Sequence, residues 1–192
     1  MSPQPNDLLD LFRSTGAYLN GHFRLTSGLH SGEYMQCALV LQHPVHAERL
    51  GRMLAGALNA KVDAVASPAL GGVIIGHEVA RALGVRFLFT ERGPEGKMTL
   101  RRGFNVSPGE KFAVIEDVVT TGGSTREVVD VLRRAGAEPV VAGSIVDRSG
   151  GVAEVGAPRV ALLTMKVESW PAEDCPHCLA GVPVSKPGSR PG

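Results

Sequence analysis

Two kinds of apolar pattern alternate along the chain. Short, mostly apolar runs occupy residues 62–67, 85–89, 112–115, 139–146 and 160–165, the signature of strands buried on both faces. Between them, apolar residues recur every three or four positions, as on one face of a helix. Leu8, Leu11 and Phe12 form such a face, with Asn6 as cap, Asp7 in the first turn and Gly16 as stop. Pro44 suits the first turn of the next helix, which carries Ala47, Leu50, Leu54 and Leu58. A third helix is predicted over about 73–83, ended by Gly84, and a fourth carries Val128, Val131, Leu132 and Ala135. Residues 34–41 alternate, with Met35, Cys37, Leu39 and Leu41 on one side, which predicts a strand. Strands alternating with helices predict an α/β fold, a mostly parallel central sheet flanked by helices.

Composition narrows the class. With 192 residues the chain suggests one domain, expected over 1–184, with a disordered tail at 185–192 rich in Pro, Gly and Ser. A formal charge of +1 gives no electrostatic case for nucleic acid or a membrane surface. No apolar run reaches the roughly 18 residues of a membrane span. Residues 1–10 lack the basic start and apolar stretch of a signal peptide. Three cysteines do not make a disulfide framework, and a cytoplasmic location is expected.

The richest stretch chemically is 112–125. The apolar run is followed by Glu116 and Asp117, placed where the strand should end, then by a small-residue turn and a helix start. Ligands of open α/β sheets bind at the carboxyl ends of strands. The turn offers N–H groups, a helix N-terminus and the hydroxyls of Thr120, Thr121, Ser124 and Thr125, together a cradle for a phosphate monoester. Gly122 and Gly123 would let the backbone approach that phosphate closely. The two carboxylates repel phosphate and suit sugar hydroxyls or a metal, so the stretch fits a ribose 5-phosphate.

Two other stretches stand out. Residues 90–111 hold Arg92, Lys97, Arg101 and Arg102 among glycines. They read either as a solvated hairpin or as a lid bringing cations over a polyanion. Cys175 and Cys178 form a CxxC without a second such pair. It reads as structural or incidental, as part of a metal site that Cys37 or histidines would have to complete through folding, or as a disulfide.

The segment 116–124, two acids, two hydrophobics and a Thr/Gly-rich turn, resembles the PRPP-binding signature of the type I phosphoribosyltransferases. Residues 25–36, the Pro68–Gly72 turn and the segment 146–150 resemble the hood, pyrophosphate loop and base-side segment of the orotate branch. The resemblance spans about residues 8–182. It implies the type I phosphoribosyltransferase fold, with a small N-terminal hood mainly over 18–42, a core over about 44–165 and a mobile loop. It implies transfer of the phosphoribosyl group of PRPP to orotate, giving orotidine 5′-monophosphate and pyrophosphate in pyrimidine biosynthesis. Purine or xanthine phosphoribosyltransferase, and a non-catalytic PRPP sensor, are the alternatives.

Carried over residue by residue, the resemblance implies PRPP contacts from Glu116, Asp117, Val118, Val119, Thr120, Thr121, Gly122, Gly123, Ser124, Gly71, Gly72, Arg92 and Lys97. It implies orotate contacts from Thr120, Arg148, Tyr34 and Met35, with Lys97 and Asp117 catalytic. Arg148 reads as the fork for the orotate carboxylate, or as half of a surface ion pair with Asp147. Mg2+ is implied as cofactor, held mainly through PRPP and with no protein side chain singled out as a ligand. A homodimer is implied, with the lid of one subunit covering the other's site. The chain departs from the pattern at Thr26 and Gly72, where many orotate enzymes carry lysine.

Overall fold

The computed structural model describes residues 5–25 and 27–186. Thr26 and residues 187–192 of the expected tail lie outside the described residues. The first helix, α1 (Pro5–Ser14), begins one residue before Asn6, so Asn6 stands in its first turn instead of capping it. A hairpin of β1 (Tyr18–Arg24) and β2 (His30–Met35) follows and forms a two-stranded sheet of its own.

The predicted strand over 34–41 is corrected. β2 ends at Met35, and α2 (Cys37–Leu41) follows, burying Cys37, Val40 and Leu41. Spacing of three and four places those residues on one helical face, whereas the alternation at 35, 37, 39 and 41 was accidental. α3 (Pro44–Ala57) opens on its proline and buries Ala47, Leu50 and Leu54, and its C-cap, Leu58, is buried as well.

The main sheet has six strands in the order β5-β4-β3-β6-β7-β8. Its members are β3 (Ala64–Pro68), β4 (Arg86–Arg92), β5 (Met98–Leu100), β6 (Lys111–Val119), β7 (Glu138–Asp147) and β8 (Arg159–Thr164). All neighbours are parallel except the β4–β5 pair. The predicted mostly parallel α/β sheet is borne out. After β3 the chain runs through α4 (Gly71–Leu83) to β4 on one side. After β6 it runs through α5 (Gly123–Arg134) to β7 on the other. The boundary between β3 and β6 is therefore where the strand order reverses, the position at which open α/β sheets bind ligands.

The central strands alternate between two cores. Val65, Ala113 and Ile115 pack with α3 and α4 through Leu50, Leu54, Ile75 and Val79. Ala64, Ala66, Phe112 and Val114 pack with α5 through Val128, Val129 and Leu132. Ala135, expected on that helical face, is instead its exposed C-cap. α4 begins two residues before the predicted 73, and Gly84 ends it in the left-handed conformation.

The segment after β8 turns back onto the hairpin. Trp170 pairs with His30 and Ser185 with Phe23 as isolated bridges. Ser185 thus belongs to ordered structure and not to the expected tail. The docking brings Cys175 and Cys178 to His22 and His30.

Candidate active site

β6 extends four residues beyond the predicted strand end. Val118 and Val119 continue the ladder, opposite Val146 and Asp147 of β7. The two acids therefore lie inside the strand. On its other side β6 pairs with β3 only as far as Val114, so the acids stand where the two strands have parted.

Adjacent strand positions face opposite sides of a sheet, and the acids divide accordingly. Asp117 faces the α4 side and approaches Gly71. Its carboxylate accepts from the Val118 N–H at 2.8 Å, and burial raises its pKa. Glu116 faces α5, where the fully buried Thr125 hydroxyl donates to it. Burial pushes Glu116 up to about 7, with the Thr125 bond opposing and Asp117 adding to the shift. Thr125 is thereby withdrawn from the phosphate turn in which the sequence placed it.

A cavity of about 430 Å³ opens at the strand ends. Asp117, Val118, Thr120, Thr121 and Arg148 line one side, and Tyr34, Met35 and Gln36 line the hairpin side. Leu25, Ser27, Leu29, Val167 and Ser169 complete it. The sequence had marked 25–36 as a motif without assigning Ser27, Leu29 or Gln36. Val167 and Ser169 carried no signal, because they reach the cavity only when the C-terminal segment folds back.

Thr120, Thr121 and Gly123 are exposed at the mouth, and Ser124 is half-buried. Gly123 is the first residue of the twelve-residue α5, whose leading N–H groups have no partner within the helix. Gly122, the N-cap of α5, is buried. It adopts φ +78°, and a Cβ there would lie 2.8 Å from Val155 Cγ1. Its missing side chain makes room for the 153–155 segment and the left-handed turn. Gly71 and Gly72 sit in the first turn of α4, not in an open loop. A Cβ on Gly72 would meet the Ile115 carbonyl oxygen at 2.8 Å, so both glycines let α4 press against β6.

Arg148 follows β7, and its N–H donates to the Val119 carbonyl at 2.8 Å. Asp147 is not its partner. Asp147 is fully buried, accepts from Ser149 at 2.8 and 2.6 Å, and pairs with Arg159. The buried Arg148 Nε has no hydrogen-bond partner. Burial lowers the Arg148 pKa, opposed first by Tyr34 and then by Glu33. Burial also raises the Tyr34 hydroxyl, opposed by Arg148. An arginine donor held under these conditions is suited to a planar anion.

The cation-rich segment is a hairpin of β4 and β5. Arg92 is bound to Glu127 of α5 at 3.1 Å, and the Met98 N–H donates to the same carboxylate at 3.1 Å. Arg102 pairs with Glu91 at 2.8 Å. Lys97 is exposed in the turn, 3.8 Å from Glu95. Neither Arg92 nor Lys97 lines the cavity, so the hairpin rests on α5, away from the residues grouped around Asp117 and Arg148.

Residues 40–174 match the phosphoribosyl transferase domain. The chain is 55% identical over 188 residues to the orotate phosphoribosyltransferase of Heliobacterium modesticaldum, covering 96% of this chain and 98% of the relative. It is 54% identical to that of Pelotomaculum thermopropionicum, covering 96% and 97%. The crystal structure of orotate phosphoribosyltransferase from Aeropyrum pernix superposes with a TM-score of 0.69 at 27% identity, covering 83% of this chain and 94% of that one. With a strand-order reversal, paired acids on β6, a Thr/Gly turn opening α5 and matches this close over nearly its full length, the chain belongs to the orotate phosphoribosyltransferases.

Proposed function

We propose that the cavity between the hairpin and the ends of β6 and β7 is where this enzyme transfers the phosphoribosyl group of PRPP to orotate. One observation carries the assignment of the base side. The Arg148 guanidinium lines the cavity with a buried Nε that no protein group satisfies. A buried donor without a partner costs on the order of 1–3 kcal/mol, which a carboxylate bound at that position would offset. Orotate carries such a carboxylate on its ring. Tyr34 and Met35 flank the ring, and Thr120 lies beside it.

The Thr120–Ser124 turn and the start of α5 take the 5-phosphate, with Val118 and Val119 supplying the strand end beneath it. Asp117 takes the ribose hydroxyls, because its carboxylate is the one facing the cavity. Glu116 acts from behind β6. In catalysis the bond from C1 of the ribose to pyrophosphate breaks, charge builds on the ribose ring and on the leaving group, and a ring nitrogen of orotate bonds to C1. The protein needs no covalent nucleophile. It holds the reacting groups in line and stabilises the charge that develops on pyrophosphate. Gly71, Gly72, Arg92 and Lys97 border the pyrophosphate side. Lys97 reaches it when the hairpin leaves α5 and closes.

The donor set fits Mg2+. Asp117 offers hard carboxylate oxygens toward the cavity, whereas Glu116 is engaged by Thr125. Asp117 would hold the ion, directly or through water, with the remaining positions filled by PRPP oxygens and water. Bound there, Mg2+ supplies neutralisation of phosphate charge. We assign the enzyme to the cytoplasm as a homodimer. Leu70 and Ile74, exposed at the start of α4, are apolar surface that a second copy would cover. Among the described residues no helix is long and apolar enough to cross a membrane.

The test is consumption of orotate, followed in the ultraviolet, with PRPP and Mg2+ supplied or withheld. Uracil, adenine and hypoxanthine serve as competing bases. Turnover of orotate alone supports the assignment. Turnover of a purine, or PRPP binding without product, overturns it in favour of the other members of the fold.

A further inference from the structure

We propose that His22, His30, Cys175 and Cys178 form a tetrahedral zinc site that fastens the C-terminal segment to the β1–β2 hairpin. Their ligand atoms all lie within 4.8 Å of one another. Cys175 Sγ is 3.5 Å and Cys178 Sγ 3.6 Å from His22 Nε2, and Cys178 Sγ is 3.2 Å from His30 Nδ1. The two nitrogens are 2.8 Å apart. Zinc bonds of about 2.0–2.3 Å place tetrahedral ligands about 3.3–3.8 Å from each other. Two of the three sulfur–nitrogen distances fall in that range, and the third, at 3.2 Å, lies just below it; the nitrogens need to separate to reach it. A set of two soft sulfurs and two imidazoles selects zinc among the common divalent ions.

The surroundings orient these atoms as a metal site requires. His22 and His30 are buried, and Cys175 is fully so. The other ring nitrogen of His22, Nδ1, is 2.7 Å from the Val182 carbonyl oxygen. A carbonyl only accepts, so Nδ1 carries the proton and Nε2 presents its lone pair to the cluster. The His177 ring stacks on His22 at 5.4 Å, and Trp170 packs against His177 at 6.0 Å. The Leu179 N–H bonds to the Cys175 carbonyl at 3.0 Å, closing one helical turn that turns both sulfurs to the same side.

The ligands come in two pairs from opposite ends of the chain, on the hairpin and beyond β8. A metal joining them closes a loop of about 145 residues, and its binding energy stabilises the folded state. Both joined segments line the cavity, the hairpin through Tyr34 and Met35 and the returning segment through Val167 and Ser169. The ion would therefore fix the base-side wall without touching a substrate.

The test uses full-length protein expressed with zinc in the medium and purified without chelator. Elemental analysis should give one zinc per chain. Exchange for Co2+ should produce the intense visible bands of tetrahedral cobalt together with thiolate-to-metal charge transfer. Cys178→Ser and His30→Asn should each lose stoichiometric metal, and chelator should lower the Tm of the wild type but not of Cys178→Ser. Wild-type protein that takes up neither metal overturns the proposal. So does a Cys175–Cys178 disulfide in freshly isolated protein, or Cys178→Ser binding zinc as tightly as wild type. Orotate turnover on the same samples keeps the two readings apart. Metal-free protein that is active sinks only the zinc site, and zinc-loaded protein inactive on orotate sinks only the assigned reaction.

Discussion

Gly71 lies so close to Asp117 that a Cβ on it would stand 2.7 Å from the carboxylate Oδ1. The first turn of α4 thus forms one wall of the slot that holds the cavity's acid. Gly71→Ala forces Asp117 or the helix start to shift, and such overpacking costs about 1–3 kcal/mol. The expected result is a kcat/KM for PRPP lower by about 10- to 100-fold, with a Tm lower by a few degrees. An unchanged kcat/KM for PRPP would free Asp117 from its assigned role.

Glu116 gives the protein a pH dependence of definite sign. Its folded pKa, about 7, lies above the ordinary glutamate value of 4.5. The folded state therefore holds the proton more tightly, and this contribution is full below pH 4.5 and lost as pH rises through 7. At about 1.4 kcal/mol per pH unit, the loss reaches about 3.5 kcal/mol. Glu116→Gln should remove that slope and be the more stable protein at pH 8, as read from urea midpoints at pH 5 and 8. Parallel midpoints for the two proteins at both pH values would contradict the burial of a titrating Glu116.

Arg148→Ala tests the base side. Losing a charge-assisted contact that leaves the partner charge unpaired costs about 2–5 kcal/mol. The preference for orotate over uracil, measured as the ratio of kcat/KM values, should fall accordingly while PRPP affinity changes little. The fold should survive, since Asp147 keeps Arg159 and Ser149 as partners. A ratio that persists would remove Arg148 from the site.

For the hairpin, Lys97→Ala should lower kcat more than it raises the KM for PRPP. A contact made mainly as charge develops on the leaving group acts on turnover, and its loss costs about 3–4 kcal/mol. Tm should not move, because Lys97 is exposed and its link to Glu95 is loose. Arg92→Ala removes the tether to Glu127 and should change hairpin mobility, measured by hydrogen exchange over Met98–Leu100. If neither substitution affects turnover, the hairpin is not a lid.

Much of this was legible in the sequence, and the misses share a cause. Buried apolar runs and helical faces gave the sheet and its helices, because burial on two faces leaves a local signature. The paired acids and the Thr/Gly turn at 116–124 were equally local. Residues 34–41 misled because four apolar residues fit a period of two by chance, while burial selected Cys37, Val40 and Leu41. The opposed directions of Glu116 and Asp117 depended on the strand running on to Val119, which pairing with β7 decides. Thr125 looked like a phosphate ligand until α5 turned it toward Glu116. Val167, Ser169 and the histidine partners of the CxxC were out of reach, since only folding brings chain ends together.

The return of the C-terminal segment also fixes an order of events. The hairpin leaves the ribosome long before the segment that bridges to it at Ser185. The parallel sheet can assemble while synthesis continues, but the wall carrying Val167 and Ser169 cannot. A nascent chain would hold a finished scaffold and an open, incapable cleft until that segment arrives. Chains truncated after Met165, just past the end of β8, should therefore contain the folded sheet and yet not turn over orotate.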